Sequence, residues 1–303
     1  MIIVNYHNVL AAAPNRLYQL LGREWEAQEE FDRQIAALQE RFKIVPLAAI
    51  IDAIRRDQQI PRACAITFDD GNFGAYKYGL PVLEKYRIPA TFFVITQHVR
   101  ENGRYAPYYC DRIEAMLQLT TQTRLDLSDF GYDVMSLSRD EEKTAFFKEF
   151  RRRIKVTPVN EKKQIDLCLE QQLGVPEEKL APFLEHEAYR LMGWDELVEL
   201  RRRGHEIGSH TRTHPSLSQI DASALELEIC GSYRDLKEKL GLQEISFAYP
   251  FGKPKHISDA AIAMVQAAGY NSGLTMKEGE NTPATNLYKL RRMDFRSIKQ
   301  LYF

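Results

Sequence analysis

Two acids, two histidines and one short turn hold most of the chemistry this sequence can do. The run Ala65-Ile66-Thr67-Phe68 ends in Asp69-Asp70-Gly71. Apolar, β-branched and aromatic residues before a glycine read as a buried strand. Two adjacent carboxylates at its end repel each other and lose hydration unless a positive partner sits beside them. A metal ion is the simplest such partner. The plainer reading is a turn at a strand end, because Asp-Gly is a common turn pair. Far downstream stands Ser209-His210-Thr211-Arg212-Thr213-His214-Pro215. Histidines four apart share one face of a helical turn and can grip one metal through ring nitrogens. Histidine is also a common surface and capping residue, so the pair alone leaves both readings open. Two histidines and one aspartate would leave a zinc ion an open position for water or substrate, as catalytic sites require.

The third stretch is Phe247-Ala248-Tyr249-Pro250-Phe251-Gly252. It reads as an apolar strand running into a proline turn. Its functional reading is a backbone N–H set at the mouth of a site to receive a developing oxyanion. Two rival metal chemistries fail on spacing. His205 and His210 stand five apart, whereas a metalloprotease helix needs His-Glu-x-x-His. A zinc nucleobase deaminase needs Pro-Cys-x-x-Cys, which is absent from the sequence.

The elements that must position these residues alternate. Strands are expected at Ile2 to Tyr6 (with His7 at the end), Ile44 to Val45, Ala63 to Phe68 and Ala90 to Ile95. Helices are expected between them, at Glu24 to Phe42, Leu47 to Arg56 and Tyr78 to Tyr86. The rhythm resumes with a helix from Trp194 to Arg203, a strand at Glu206 to Gly208 and a helix from Ala222 to Leu240. A strand at Ile245 to Tyr249, a helix from Ile257 to Ala268 and strands at Tyr270 to Leu274 and Leu287 to Leu290 complete it. Such alternation argues for an α/β parallel sheet or barrel, where chemistry sits at the C-terminal ends of the strands.

Between the two halves, residues 105–190 are mostly charged and helix-like. They read as a helical insertion, a lid or subdomain, within one domain spanning 1–303. The run Arg151-Arg152-Arg153 reads as a solvated face.

The 303 residues, 44% hydrophobic, suit one large domain or two ordinary ones. Forty-one basic against 42 acidic residues give a net charge of −1, which offers no electrostatic footprint for nucleic acid. No apolar run is long enough to be an integral membrane segment. The opening residues lack a signal-peptide pattern. Cys64, Cys110, Cys168 and Cys230 show no paired spacing and read as reduced thiols, so a cytoplasmic location is expected.

Taken in order, the three motifs resemble the polysaccharide deacetylases, carbohydrate esterases sharing the NodB homology domain. The resemblance covers Ile2 to about Thr96 and Trp194 to about Met293. Tyr6-His7-Asn8-Val9 and Leu191-Met192-Gly193-Trp194-Asp195-Glu196 resemble the branch associated with bacterial exopolysaccharide and capsule synthesis. The resemblance implies a distorted (β/α)7-type barrel. It implies that Asp70, His210 and His214 hold a divalent metal, usually zinc. Asp69 would be the general base, and the backbone N–H of Phe251 would hold the oxyanion. The substrate would be an acetylated sugar.

Two departures from the family pattern matter. The family's third motif usually carries an arginine where this chain has Ala248; Arg292, near the end of the last strand, is expected to supply the charge that orients Asp69. No histidine follows His256, and the branch implies that His7 serves as general acid. The plainer reading of His7 is a strand-end histidine held by a backbone carbonyl. Trp194 and Asp195 most simply start a helix, with the indole in the core. Tyr105, Tyr108 and Tyr109 could stack on sugar rings or simply pack. The expected reaction is removal of acetyl from an N-acetylated sugar. The alternatives are an amidohydrolase acting on a small cyclic amide, and a non-catalytic glycan-binding protein of the same fold.

Overall fold

The strands that carry the sheet are apolar along nearly their whole length, as strands covered on both faces must be. The computed structural model describes residues 1–12, 25–101 and 107–303. In chain order the elements are β1 (Ile2–Tyr6), β2 (Asn8–Leu10), β3 (Trp25–Ala27), α1 (Gln28–Arg41), β4 (Lys43–Ile44), α2 (Leu47–Arg55), β5 (Ala63–Phe68), α3 (Leu80–Tyr86) and β6 (Ala90–Val94). There follow α4 (Tyr109–Leu119), β7 (Arg124–Leu125), β8 (Met135–Ser136), α5 (Asp140–Ile154), α6 (Val159–Leu173) and α7 (Glu177–Leu184). The last are α8 (Trp194–Arg202), β9 (Glu206–Ser209), α9 (Ala222–Leu240), β10 (Ser246–Ala248), α10 (Asp259–Ala267), β11 (Ser272–Leu274) and α11 (Phe295–Tyr302).

The described residues divide into two compact units, one within 1–12, 25–101 and 191–303, the other within 107–190. The first unit holds a parallel sheet in the order β1-β5-β6-β9-β10-β11, with β4 paired to the start of β5. Residues 290–293 then tie the two edges together. Leu290 bridges Leu274 of β11, and Met293 bridges Val4 of β1. The Asn5 N–H donates to the Met293 carbonyl at 2.9 Å, and the Met293 N–H to Ile3 at 3.0 Å. The sheet thus curls into the barrel-like arrangement that the alternation implied.

Alternate strand residues face opposite ways, and the two sets pack differently. Val4, Tyr6, Ile66, Phe68, Phe92 and Phe247 pack with α1, α3, α8 and α9 in one core. Ile3, Ala65, Phe93, Ala248, Leu274 and Leu290 form a second core with the apolar face of α2.

Three expectations need correction. The helix expected from Glu24 starts at Gln28; residues 25–27 instead pair in parallel with β2, and Glu24 lies outside the described residues. The helix expected from Tyr78 is preceded by a π turn over Ala75–Gly79. The strand expected at Leu287 to Leu290 is a 3₁₀ turn over Leu287–Lys289, because the Asn286 side chain accepts the Tyr288 N–H and caps it. The edge role passes to residues 290–293. A further helix, α11, follows, capped by Asp294 on the Ser297 N–H.

The second unit contains α4 to α7 and an antiparallel β7–β8 pair. Ile113, Phe146, Phe150, Ile165, Leu169 and Leu180 are buried in it. The Tyr109 hydroxyl bonds Asp166, and Arg112 pairs with Glu170 and Glu177. Arg152 is 67% exposed and pairs with Glu149, as a solvated face does. Tyr105 lies outside the described residues. Among the described residues, no helix is long and apolar enough to cross a membrane.

Candidate active site

Strand register brings the three motifs to one rim. Tyr6 of β1 lies opposite Phe68 of β5, so His7 and Asp69 leave the sheet side by side; the Asp69 N–H donates to the Tyr6 carbonyl at 2.9 Å. Val94 of β6 lies opposite Ser209, which lies opposite Phe247 of β10. His210 therefore leaves at the same level, its N–H donating to the Val94 carbonyl at 2.8 Å. All these positions are C-terminal strand ends, where parallel barrels hold their chemistry.

Asp70, His210 and His214 converge. One ligand atom from each lies within 4.8 Å of the others, a group able to hold a metal ion. Asp70 Oδ1 is 3.5 Å from His210 Nε2 and 3.5 Å from His214 Nε2. Tetrahedral zinc with bonds of about 2.0–2.1 Å would set its ligand atoms about 3.4 Å apart, so the spacing fits such an ion. His210 Nδ1 lies 2.7 Å from the Ala248 carbonyl. A carbonyl can only accept, so Nδ1 carries the proton and the Nε2 lone pair faces the cluster. The donor set thus suits a divalent cation.

The two histidines do not sit on a helical turn, contrary to the spacing argument. Thr211 (φ 68°) and His214 (φ 62°) are both left-handed. The Thr211 hydroxyl accepts the His214 N–H at 2.9 Å. Pro215 disfavours a helical His214, and that was the signal available in sequence. Asp70 (φ 70°) and Phe251 (φ 60°) are left-handed as well. Four strained residues at one rim mark a site that its surroundings over-determine.

Asp69 is 3% exposed and Arg292 fully buried. Arg292 grips it with both arms of its guanidinium, Nη1 to Oδ1 at 2.7 Å and Nη2 to Oδ2 at 2.8 Å. The Asn5 amide also donates to Oδ2, at 3.2 Å, and Asn5 Oδ1 accepts from Arg292 Nη1 at 2.7 Å. Burial, the largest single influence, pushes the Asp69 carboxyl up, but the charges of Arg292, His210 and His7 and the Arg292 hydrogen bonds together outweigh it. The carboxyl is held well below the usual carboxylate range. Asp69 Oδ2 lies 4.0 Å from His210 Nε2, beside the ligand cluster.

Asn5 and Thr67 were missed by the sequence reading. Thr67 Oγ1 donates to the Val4 carbonyl at 2.9 Å and stands 3.4 Å from Arg292 Nη1. The available signal was a lone amide in an otherwise hydrophobic strand, since buried polar groups need partners.

His7 is half-buried at the end of β1, and its carbonyl accepts from the Asn72 amide at 3.4 Å. The Phe251 ring stands edge-on to His214, with centroids 4.7 Å apart, and its centroid is 4.9 Å from that of His256. Gly252 (φ 61°) must be glycine, because a Cβ there would lie 2.5 Å from the Met276 nitrogen. Trp194 opens α8 and packs against the core. Tyr108 and Tyr109 belong to the second unit.

The polysaccharide deacetylase family profile matches residues 56–273. A poly-beta-1,6-N-acetyl-D-glucosamine N-deacetylase of Staphylococcus epidermidis is 34% identical over 106 residues, 32% of this chain. That match spans only 37% of the relative's length. Two solved structures share the fold: the Streptococcus pyogenes deacetylase PplD in complex with acetate (TM-score 0.61, 18% identity, 99% of this chain and 96% of that one) and IcaB from Ammonifex degensii (TM-score 0.59, 18% identity, 99% and 95%). With 218 of its 303 residues inside the family profile (56 to 273), this chain belongs to the polysaccharide deacetylase family.

Proposed function

We propose that the protein is a metal-dependent hydrolase that removes acetyl groups from N-acetylated sugars, with β-1,6-linked N-acetylglucosamine as the first substrate to test. The observation that carries this is a three-ligand cluster beside an arginine-clamped carboxylate, in a chain of this family. Asp70, His210 and His214 would hold the ion, for which zinc suits the donor set. Once bound, such an ion supplies Lewis acidity and a more acidic water.

The chain's own residues do the rest. The water oxygen bonds to the acetyl carbon, the C–N bond breaks, and acetate and an amine leave. The Asp69 carboxylate accepts the water proton. Two donors occupy Oδ2 and one occupies Oδ1, so one of its roughly four lone-pair sites remains for that proton, on Oδ1. A carboxylate held this acidic is a weak base and keeps the proton only in passing. The Phe251 N–H meets the oxyanion. His7, on the same rim, delivers a proton to the departing nitrogen. The Arg292 clamp supports catalysis over glycan binding alone, because it replaces the charge missing at Ala248.

The same proposal keeps 105–190 as a helical insertion, a lid or subdomain, within one domain spanning 1–303; the buried core of the second unit supports its being a subdomain. It also keeps a cytoplasmic location, supported by four unpaired cysteines. The test is acetate release from N-acetylhexosamine oligomers, with and without chelator, beside Asp69→Asn and His210→Ala. Chelator-insensitive release would remove the metal from the proposal. Absence of release from every acetylated sugar would remove the activity.

A further inference from the structure

Helix α9 presents one polar stripe in an otherwise mixed sequence. Glu228, Gly231, Ser232 and Asp235 stand at spacings of three, four and seven, which places them on one face. Every one of them meets the rim between β9 and His214, or the loop beside it. Ser232 bonds the Ser209 hydroxyl at 2.8 Å. Asp235 accepts from Arg212 Nε at 3.0 Å and from the Thr96 hydroxyl at 2.6 Å. Gly231 leaves room for Arg212, whose Cδ would lie 2.5 Å from any Cβ there.

Glu228 does most. It is 7% exposed. Its Oε2 accepts the backbone N–H of Arg212 at 2.9 Å and of Thr213 at 2.8 Å. Its Oε1 accepts the Thr213 hydroxyl at 2.5 Å. These two N–H groups lie between the left-handed Thr211 and the left-handed His214. Successive N–H groups in such a turn form a concavity that takes an anion. Here the anion is a side chain of the protein itself. Left-handed non-glycine residues are strained and persist only when their surroundings enforce them.

We infer that Glu228 is a positioning residue for the metal site, and this inference rests on the reading of Asp70, His210 and His214 as ligands. Its carboxylate holds the 211–214 loop in the conformation that brings His214 Nε2 onto the Asp70 and His210 atoms. Glutamine at 228 keeps the shape but replaces one accepting oxygen with an NH₂ that cannot accept the loop's donors.

The experiment is cobalt binding to chelator-stripped full-length protein, read by competition with a chromophoric chelator and by the cobalt absorption spectrum. Glu228→Gln is expected to bind about ten- to a hundred-fold more weakly, the usual effect of losing a group that orients a ligand. Its cobalt spectrum should shift, because the ligand set is distorted. Glu226→Gln, exposed on the same helix, should bind as the wild type does. Unchanged affinity and spectrum in a folded Glu228→Gln protein would overturn the inference while leaving the metal site intact. If that variant does not fold, Thr213→Val removes only the hydroxyl donor. It should weaken binding several-fold, and unchanged binding would overturn the inference equally. A wild-type protein that binds no cobalt would overturn the site reading and this inference together.

Discussion

Replacing Arg292 with methionine tests the electrostatics of the site without touching a proposed metal ligand. The substitution removes both contacts to Asp69 and the 2.7 Å bond to Asn5. Asp69, 3% exposed, keeps only the Asn5 amide at 3.2 Å. Breaking a buried pair by removing one partner costs about 3–5 kcal/mol, because the other charge is left uncompensated. The sign with pH follows. In the wild type the Asp69 carboxyl is depressed, so its contribution is present above the ordinary carboxylate value of about 3.9 and lost as pH falls through the lower folded value. In the variant, burial dominates and the carboxyl rises. The deficit relative to wild type is therefore largest near neutral pH and shrinks toward acid pH. Adding Asp69→Asn removes the stranded charge, so the double variant should recover much of what Arg292→Met loses. The assay is urea unfolding of chelator-treated protein, with equal slopes required before free energies are compared. An Arg292→Met protein within about 1 kcal/mol of wild type at neutral pH would refute the reasoning. So would a double variant no more stable than the single.

Three further outcomes are expected. Asp69→Asn should retain metal in a binding titration yet lose about 10²–10⁴-fold in kcat, the range for a missing general base, whereas Asp70→Asn should lose metal affinity first. His7→Gln should lower kcat by a similar factor of about 10²–10⁴ in the acetate-release assay, since an amide cannot deliver a proton to the departing nitrogen. Gly208→Ala should destabilise by about 1–3 kcal/mol in urea, the usual range for overpacking. Its Cβ would lie 2.4 Å from the Phe93 ring and 2.8 Å from the Ser246 carbonyl.

Much of the barrel could be read from the chain. Ala63–Phe68 and Ala222–Leu240 have the bounds that their apolar patterns imply. Those segments are strongly periodic, and a glycine or a turn pair marks their ends. The residues that converge as a possible metal group are the ones the sequence offers as ligands, because short motifs at strand ends survive without knowledge of tertiary contacts. What could not be read depended on distant partners. Nothing local marks residues 290–293 as the stretch that ties both sheet edges, since each edge offers it only a bridge. The His210 to His214 loop was misread as helical because side-chain spacing says nothing of the Glu228 carboxylate 14 residues beyond His214 that bends it. Trp25–Ala27 was hidden for the same reason, its pairing with β2 being a contact across the chain.

The stretch that seals the sheet also carries the cation that keeps Asp69 ionised. Fold completion and chemical competence therefore share one latch. Were residues 290–293 to lift away, the carboxylate would lose its counter-charge while Asp70, His210 and His214 stayed together. The proposed hydrolysis would stop with its three candidate ligands still in hand, and a chain that had not yet closed its last seam would have no premature activity.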